Sequence, residues 1–357
     1  MKIVFRVDAS VILGSGHVMR CLTLAEELNK NHEVSFICSD MEGNLIDLIK
    51  EKGFEVFILP RFLIETNNNQ SYESYDWEKD KFETIKCLQI KDFNCLIVDH
   101  YMLDFKWETG VKNYVEVLFV IDDLANRKHS CDLLLDQNFY MENQNSYNDL
   151  VPSETHILLG EKYALLRDEF TETKKKVIED INSIFIYFGA SDISGETIKV
   201  LEAYTSKFYK FKLKVLLGYS NPKRDYIVVT YSKCRNIEIL SHTKEISKIM
   251  LETDLAIGAG GSTAWERCCI GLPSTVVIVA ENQLQPMLEL KKKGVIEILS
   301  NNTLEGYKEL LDFIATDSIE HWRGIQDRGM TLFDGYGKKR LKAILEEVIE
   351  NECRRTL

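Results

Sequence analysis

Twice along the chain, short runs of Val, Ile, Leu and Phe alternate with stretches of helical periodicity. That alternation leaves few folds open. In the first half KIVFRV, HEVSFIC, FEVFILP, NCLIVDH and VEVLFVIDD have strand length and composition. HVMRCLTLAEELNKN, NLIDLIKEKG and residues 104–112 lie between them with helical spacing. The strands are short, rich in Val, Ile and Phe, and bounded by polar segments. This is the mark of a parallel sheet covered on both faces, and so of βαβ units in an α/β fold. The second half repeats the pattern in style but not in residues. SIFIYFGA, LKVLLG, IEIL, DLAIGAG and STVVIVA read as strands, with helices at 244–252 and 263–270.

A chain of 357 residues holds roughly two domains at about 150 residues each. The charged stretch EFTETKKKVIEDINS, residues 169–183, precedes a fresh strand and marks the join. The expected division is residues 1–172, residues 180–335, and a C-terminal helix over 336–357. In that helix Leu341, Ile344, Leu345, Val348 and Ile349 form one apolar stripe suited to packing back on the body of the protein. Residues 61–80, RFLIETNNNQSYESYDWEKD, are rich in Asn, Gln, Ser and Asp. They read as a polar surface excursion, either a solvated loop or a lid.

Lys and Arg number 44 against 56 Asp and Glu, a formal charge of −12. With no basic block, the chain is a poor partner for nucleic acid or an anionic membrane. The opening MKIVFRVDAS is too short in apolar residues for a signal peptide, and no stretch approaches the length of a membrane span. The nine cysteines are odd in number and form no C-x-x-C pair. They are expected to be reduced thiols of a cytoplasmic protein.

In open parallel sheets, ligands bind beyond the carboxyl ends of the strands, so four loops come forward. After KIVFRV comes DASVILGSGHVMR, where Gly14 and Gly16 allow close approach of a ligand and a helix opens near His17. A plain strand-to-helix turn with an incidental His17 is the competing reading. The helix opening favours a neutral imidazole, which can take a proton. After NCLIVD come Asp99, His100 and Tyr101, and after VEVLFVI come Asp122 and Asp123. Each Asp alone reads as a cap or turn residue; together they suggest a polar wall. No His-x-His or His-x-x-Glu spacing accompanies them, so no metal site is expected. In DLAIGAGGSTAWERCCIGLPS, the glycines with Ser262 and Thr263 form a nest of donors suited to phosphate. Glu266 either completes a T-x-x-E capping box with Thr263 or accepts bonds from sugar hydroxyls. Glu281, Asn282 and Gln283 follow the next strand. A glycine-rich turn in each half suits a diphosphate sugar bound between two Rossmann-like domains facing across a cleft.

These motifs together resemble the UDP-2,4-diacetamido-2,4,6-trideoxy-β-L-altropyranose hydrolases of pseudaminic acid biosynthesis and the related spore-coat polysaccharide biosynthesis proteins. The likeness runs over nearly the whole chain, through FRVD, GSGHVMRC, LIVDHY, VIDDLANR, LLDQN, LLGEKYALLRDEF, FGASD, AIGAGGSTAWERCCIGLPS, ENQ and DGYGKKR. The resemblance implies a glycosyltransferase B-like fold, the group that includes the lipid II-forming N-acetylglucosaminyltransferase. It implies metal-independent hydrolysis of a UDP-linked diacetamido sugar without a cofactor, as a step toward a nonulosonic acid. His17 falls on the catalytic histidine, Tyr101 on the tyrosine beside the sugar and Asn282 on the asparagine near the reacting carbon. Asp8, Gly14, Gly16, Arg20, Asp99 and Gln283 join the substrate side. Gly260, Gly261, Ser262 and Thr263 fall on the UDP-binding turn, with Glu266 on the ribose. A glycosyltransferase of the same fold and a non-catalytic UDP-sugar-binding protein are the rival expectations, and a monomer or weak homo-oligomer is expected. FGASD departs from the family at Ala190, and the excursion at 61–80 is longer than in the family.

Overall fold

The computed structural model describes residues 1–11, 13–62, 75–140, 147–240, 243 and 245–355. Its strands are β1 (Lys2–Val7), β2 (Glu33–Ser39), β3 (Glu55–Leu59), β4 (Cys95–Asp99), β5 (Val117–Ile121), β6 (Leu133–Asp136), β7 (His156–Leu159), β8 (Ser183–Tyr187), β9 (Lys212–Leu216), β10 (Ile237–Leu240), β11 (Leu255–Ala259), β12 (Ser274–Val277) and β13 (Glu297–Ile298). The helices are α1 (Gly16–Leu28), α2 (Ile46–Glu51), α3 (Trp77–Leu88), α4 (Phe105–Val111), α5 (Asp168–Thr171), α6 (Glu196–Thr205), α7 (Arg224–Tyr231), α8 (Ile246–Leu251), α9 (Ser262–Ile270), α10 (Glu281–Lys292), α11 (Leu304–Thr316), α12 (Ile319–Leu332) and α13 (Gly337–Arg355).

The chain forms two compact units. One holds Met1–Asn138, Glu142–Leu165 and Tyr336–Leu357; the other holds Phe139–Met141 and Leu166–Gly335. The first carries a seven-stranded sheet in the order β3-β2-β1-β4-β5-β6-β7, and the second a six-stranded sheet in the order β10-β9-β8-β11-β12-β13. All the paired strands are parallel. Counted within each unit, the second order reads 3-2-1-4-5-6, the Rossmann order, and the first reads the same with a seventh strand added at the β6 edge. The point where strand order reverses lies between β1 and β4 in the first unit and between β8 and β11 in the second. There two neighbouring crossovers leave the sheet in opposite directions and open a crevice.

The central strands of each sheet are covered on both faces, which is why they are rich in apolar residues. In the first unit Phe5, Phe36 and Ile97 pack on one side with α1, while Val4, Ile37, Leu96 and Trp107 pack on the other. The C-terminal helix α13 belongs to this first unit. Leu341, Leu345 and Ile349 are buried in the same core, with Ile344 and Val348 packed against it. Fully burying one such side chain is worth about 1.5–3 kcal/mol.

Two sequence expectations change. Strands β6 and β7, LLLD and HILL, add to the strands read from the sequence; each is four residues long and has no glycine-rich turn after it. The polar excursion at 61–80 is not all loop: α3 starts at Trp77, capped by Asp76, whose side chain accepts from the Lys79 N–H at 3.1 Å. Phe62, Tyr75 and Asp80 are buried. Residues 63–74 lie outside the described residues.

Candidate active site

The register of the first sheet pairs Val7 of β1 with Asp99 of β4. This brings the loop after β1 and the loop after β4 together at the point of reversal. The loop after β1 is held by its own backbone. The Gly14 N–H bonds the Ser10 carbonyl at 2.9 Å, and Gly14 sits at φ +73°, where a side chain would be strained. Helix α1 then opens with no side-chain cap at Ser15 and no acidic residue in its first turn. His17 is the second residue of that helix.

His17 Nδ1 lies 2.6 Å from Asp99 Oδ1. A carboxylate only accepts, so Nδ1 carries the proton and Nε2 is left as the acceptor. Arg20, one turn along α1, approaches Asp99 from the other side. Its Nε donates to Oδ2 at 2.6 Å and its Nη2 to Oδ1 at 2.7 Å, while its Nη1 donates to Asp123 Oδ2 at 2.7 Å. Tyr101 donates its hydroxyl to Asp123 Oδ1 at 2.7 Å, and its ring stands perpendicular to the imidazole with centroids 4.4 Å apart. Burial alone would raise the Asp99 carboxyl, but the charges of Arg20 and His17 outweigh it and hold the group well below the usual carboxylate range. Burial and Asp123 push the Tyr101 phenol up, so it stays protonated as a donor. The His17 side chain is 11% exposed against 0% for Asp99; the imidazole is reachable and the carboxylate is not. No described residue bonds Nε2. The arrangement is an imidazole oriented by a buried carboxylate, a pairing suited to proton abstraction at neutral pH.

Several residues expected on the substrate side are occupied within the protein. Asp8 is buried, and both its oxygens are filled: Oδ1 by Arg6 Nη1 at 2.6 Å and the Ser39 N–H at 2.7 Å, Oδ2 by Arg6 Nη2 at 2.8 Å and His100 Nε2 at 3.1 Å. It anchors the ends of β1, β2 and β4. The same Arg6, fully buried, also reaches Asp80, which takes further bonds from Tyr75 and Trp107. Arg20 bridges two carboxylates, and Gly14 shapes the turn. Gly16 is exposed at the start of α1 with open space beside it. Asp122 is a turn cap: it accepts from the N–H groups of Leu124 and Ala125 and from Tyr147, and lies 2.6 Å from Arg127.

In the second unit the AGG turn follows β11, and Gly261 is the N-cap of α9, again with no side-chain cap. Ser262 and Thr263 have accessible side chains at the helix opening. The expected capping box is absent, because Ser262, not Thr263, begins the helix and Glu266 is its fifth residue. Glu266 is instead buried against Arg167, whose Nε donates to Oε1 at 2.9 Å. Burial raises its carboxyl in spite of Arg167. Its Oε2 has no hydrogen-bond partner among the described residues. Tyr187, at the end of β8, feels the same carboxylate; burial first and Glu266 second push it up to about 12. Gly260 is required for close packing, since a Cβ there would meet Met287 at 2.8 Å and Gln283 Oε1 at 3.3 Å. Asn282 and Gln283 lie in the first turn of α10 rather than at a strand end. Asn282 is exposed, and Gln283 accepts from the Val279 N–H at 3.2 Å. Arg167 was not singled out from sequence; a lone Arg in LLRDEF gives no spacing signal. Among the described residues no group of three or more His, Cys, Asp or Glu side chains is placed to hold a metal ion.

Two Rossmann-like α/β units, each with a bare helix N-terminus at its point of reversal, define a glycosyltransferase B-like chain. MurG of Acinetobacter baumannii shares that fold with a TM-score of 0.67 at 12% identity, over 97% of this chain and 99% of its own. Residues 188–316 match the glycosyltransferase family 28 C-terminal domain. The chain belongs to the family of the UDP-2,4-diacetamido-2,4,6-trideoxy-β-L-altropyranose hydrolase of Campylobacter jejuni. It is 30% identical to that protein over 301 residues, which cover 82% of this chain and 97% of the relative. The spore coat polysaccharide biosynthesis protein SpsG of Bacillus subtilis is 22% identical over 97% of this chain and 98% of its own length.

Proposed function

We propose that this chain hydrolyses a UDP-linked diacetamido-trideoxy sugar, UDP-2,4-diacetamido-2,4,6-trideoxy-β-L-altropyranose, to UDP and the free sugar, as a step in pseudaminic acid biosynthesis. His17 Nε2 takes a proton from water as the water oxygen forms its bond to C1. The C1–O bond to the diphosphate breaks, and UDP departs with the electron pair. Attack from the opposite face inverts C1. Asp99 holds the ring in the required tautomer and stabilises the imidazolium that forms, while Tyr101 keeps the ring upright. Gly16, Asn282 and Gln283 are the residues assigned to the sugar. UDP is assigned to Gly260, Gly261, Ser262 and Thr263, where the opening of α9 meets the leaving group's charge, with Glu266 Oε2 accepting from the ribose. The reading runs without a metal ion.

The observation that carries this reading is the 2.6 Å contact from His17 Nδ1 to buried Asp99, which leaves Nε2 as an accessible acceptor. The test is His17→Asn. Asn fits the turn but cannot take a proton near neutrality, so kcat is expected to fall by about 10²–10⁴ while UDP affinity stays near that of wild type. Retention of more than about a tenth of the wild-type kcat removes His17 from the mechanism. The match of residues 188–316 to a glycosyltransferase domain favours one second reading, transfer of the sugar to an acceptor hydroxyl. UDP released only when an acceptor is supplied supports transfer instead.

A further inference from the structure

Arg267 is fully buried, and it pairs with no carboxylate among the described residues. Helical side chains lean back toward the N-terminus of their helix, and from the sixth position of α9 this one reaches the end of β11. There Nη2 donates to the Ala259 carbonyl at 3.0 Å. Nη1 lies where only a glycine leaves room: a Cβ on Gly258 would come within 2.8 Å of it and 2.4 Å of the Tyr187 carbonyl. Nε and Nη1 have no hydrogen-bond partner among the described residues. The adjacent Glu266 is bonded to Arg167 instead. Burial brings the Arg267 guanidinium down to about 10, partly offset by Cys268 and Glu266, so it remains charged near neutrality.

An unpaired buried cation is costly, and each buried donor left unmet adds to the penalty. This cation also sits beside the turn that opens α9, where the helix dipole contributes further positive potential. Among the described residues no carboxylate bonds Arg267, and the nearby Glu266 carboxylate, which acts on it through space, is shared with Arg167. The missing partner is an anion, and the surroundings say where it binds: Gly261 caps α9 without a side chain, and Ser262 is exposed. Charges interact more strongly in the low dielectric of the interior than in water.

We infer that Arg267 is the buried counter-charge for the nucleotide's diphosphate, acting through space from beneath the turn 258–261 on an anion held at the opening of α9. This rests on the reading of that turn as the UDP site and adds a residue that does not touch the ligand. Arg267 is therefore a positioning residue for binding. It favours UDP over ligands with fewer phosphates and selects against an uncharged nucleoside.

The test is calorimetric titration of wild type, Arg267→Met and Arg267→Lys with UDP, UMP and uridine. Arg267→Met is expected to weaken UDP by about tenfold or more, weaken UMP less, and change uridine by no more than about twofold. Arg267→Lys is expected to recover most of the UDP affinity. The loss should persist at about 0.5 M salt, because a buried charge is poorly screened. Equal losses for UDP and uridine, or UDP affinity within about twofold of wild type in Arg267→Met, overturn the inference. Should Arg267→Met fail to fold, the native protein decides. The Arg267 Nε–H resonance is expected to shift on adding UDP and not uridine, and no shift with UDP overturns the inference. Failure of wild type to bind UDP sinks the nucleotide reading itself. Binding without sugar release sinks the hydrolase reading and leaves the role of Arg267 standing.

Discussion

Replacing Asp99 by Asn tests whether the buried carboxylate, rather than the histidine alone, sets up the base. Asp99 accepts two bonds from Arg20, at 2.6 and 2.7 Å, and one from His17 Nδ1 at 2.6 Å. An amide offers one accepting oxygen and one donating nitrogen. If the oxygen takes the Oδ2 place, on Arg20 Nε, the NH₂ takes the Oδ1 place, faces His17 Nδ1 and forces the ring to accept there, which puts the proton on Nε2. The acceptor for water's proton is then lost, and kcat is expected to fall by about 10²–10⁴. The protein also weakens. Removing one partner of a buried pair costs about 3–5 kcal/mol, but Asp123 still holds Arg20 Nη1 at 2.7 Å, so the lower end, about 3 kcal/mol, is expected. The assay is UDP release by Asp99→Asn under saturating substrate, with UDP affinity and a denaturant melt on the same sample. A folded variant that keeps more than about a tenth of the wild-type kcat refutes the reasoning, because tautomer control would then be irrelevant.

Glu266→Gln is expected to weaken UDP binding by about 1.5–3 kcal/mol through loss of the charge-assisted bonds assigned to Oε2; UDP affinity unchanged within about twofold shows that the carboxylate serves only Arg167. The His129 imidazole, with Nδ1 at 2.7 Å from Glu108 and Nε2 at 3.8 Å from Asp122, is lifted from 6.5 to about 9, these carboxylates outweighing burial. The folded state therefore keeps a proton that the unfolded chain loses. This stabilisation is full below about pH 6.5 and disappears as pH rises toward 9. Urea melts at pH 6 and pH 9 are expected to show wild type losing about 1–3 kcal/mol more than His129→Gln; parallel losses contradict the assignment.

Much of the fold is legible because the inner strands, β1, β2, β4, β5, β8, β11 and β12, are largely buried and their sequences say so in Val, Ile, Leu and Phe. The strands that escape are β6, β7 and β13, edge or near-edge strands of two to four residues. The start of α3 escapes because WEKDKFETIKCL opens on charge, so its first turn reads as part of the excursion. One of those charges, Asp80, points inward to Arg6, and a buried ion pair has no periodic signature. His17, Asp99 and Tyr101 are found from sequence because the strand-end rule collects them from two loops. Their order is not: that Arg20 bridges Asp99 and Asp123, that Asp8 serves Arg6, and that Glu266 meets Arg167 rather than its helix cap depend on residues distant in sequence. Arg267 follows Glu266 in the same motif, and only its placement under Gly258 gives it meaning.

The most direct test of the central claim is hydrolysis of UDP-2,4-diacetamido-2,4,6-trideoxy-β-L-altropyranose in ¹⁸O-labelled water with no acceptor added, read by mass spectrometry of both products and by NMR of the sugar as it forms. Water activated by His17 at C1 delivers the label to the free sugar, leaves UDP unlabelled and gives first the anomer inverted at C1. Label in UDP, a retained anomer, or no UDP without an acceptor contradicts it.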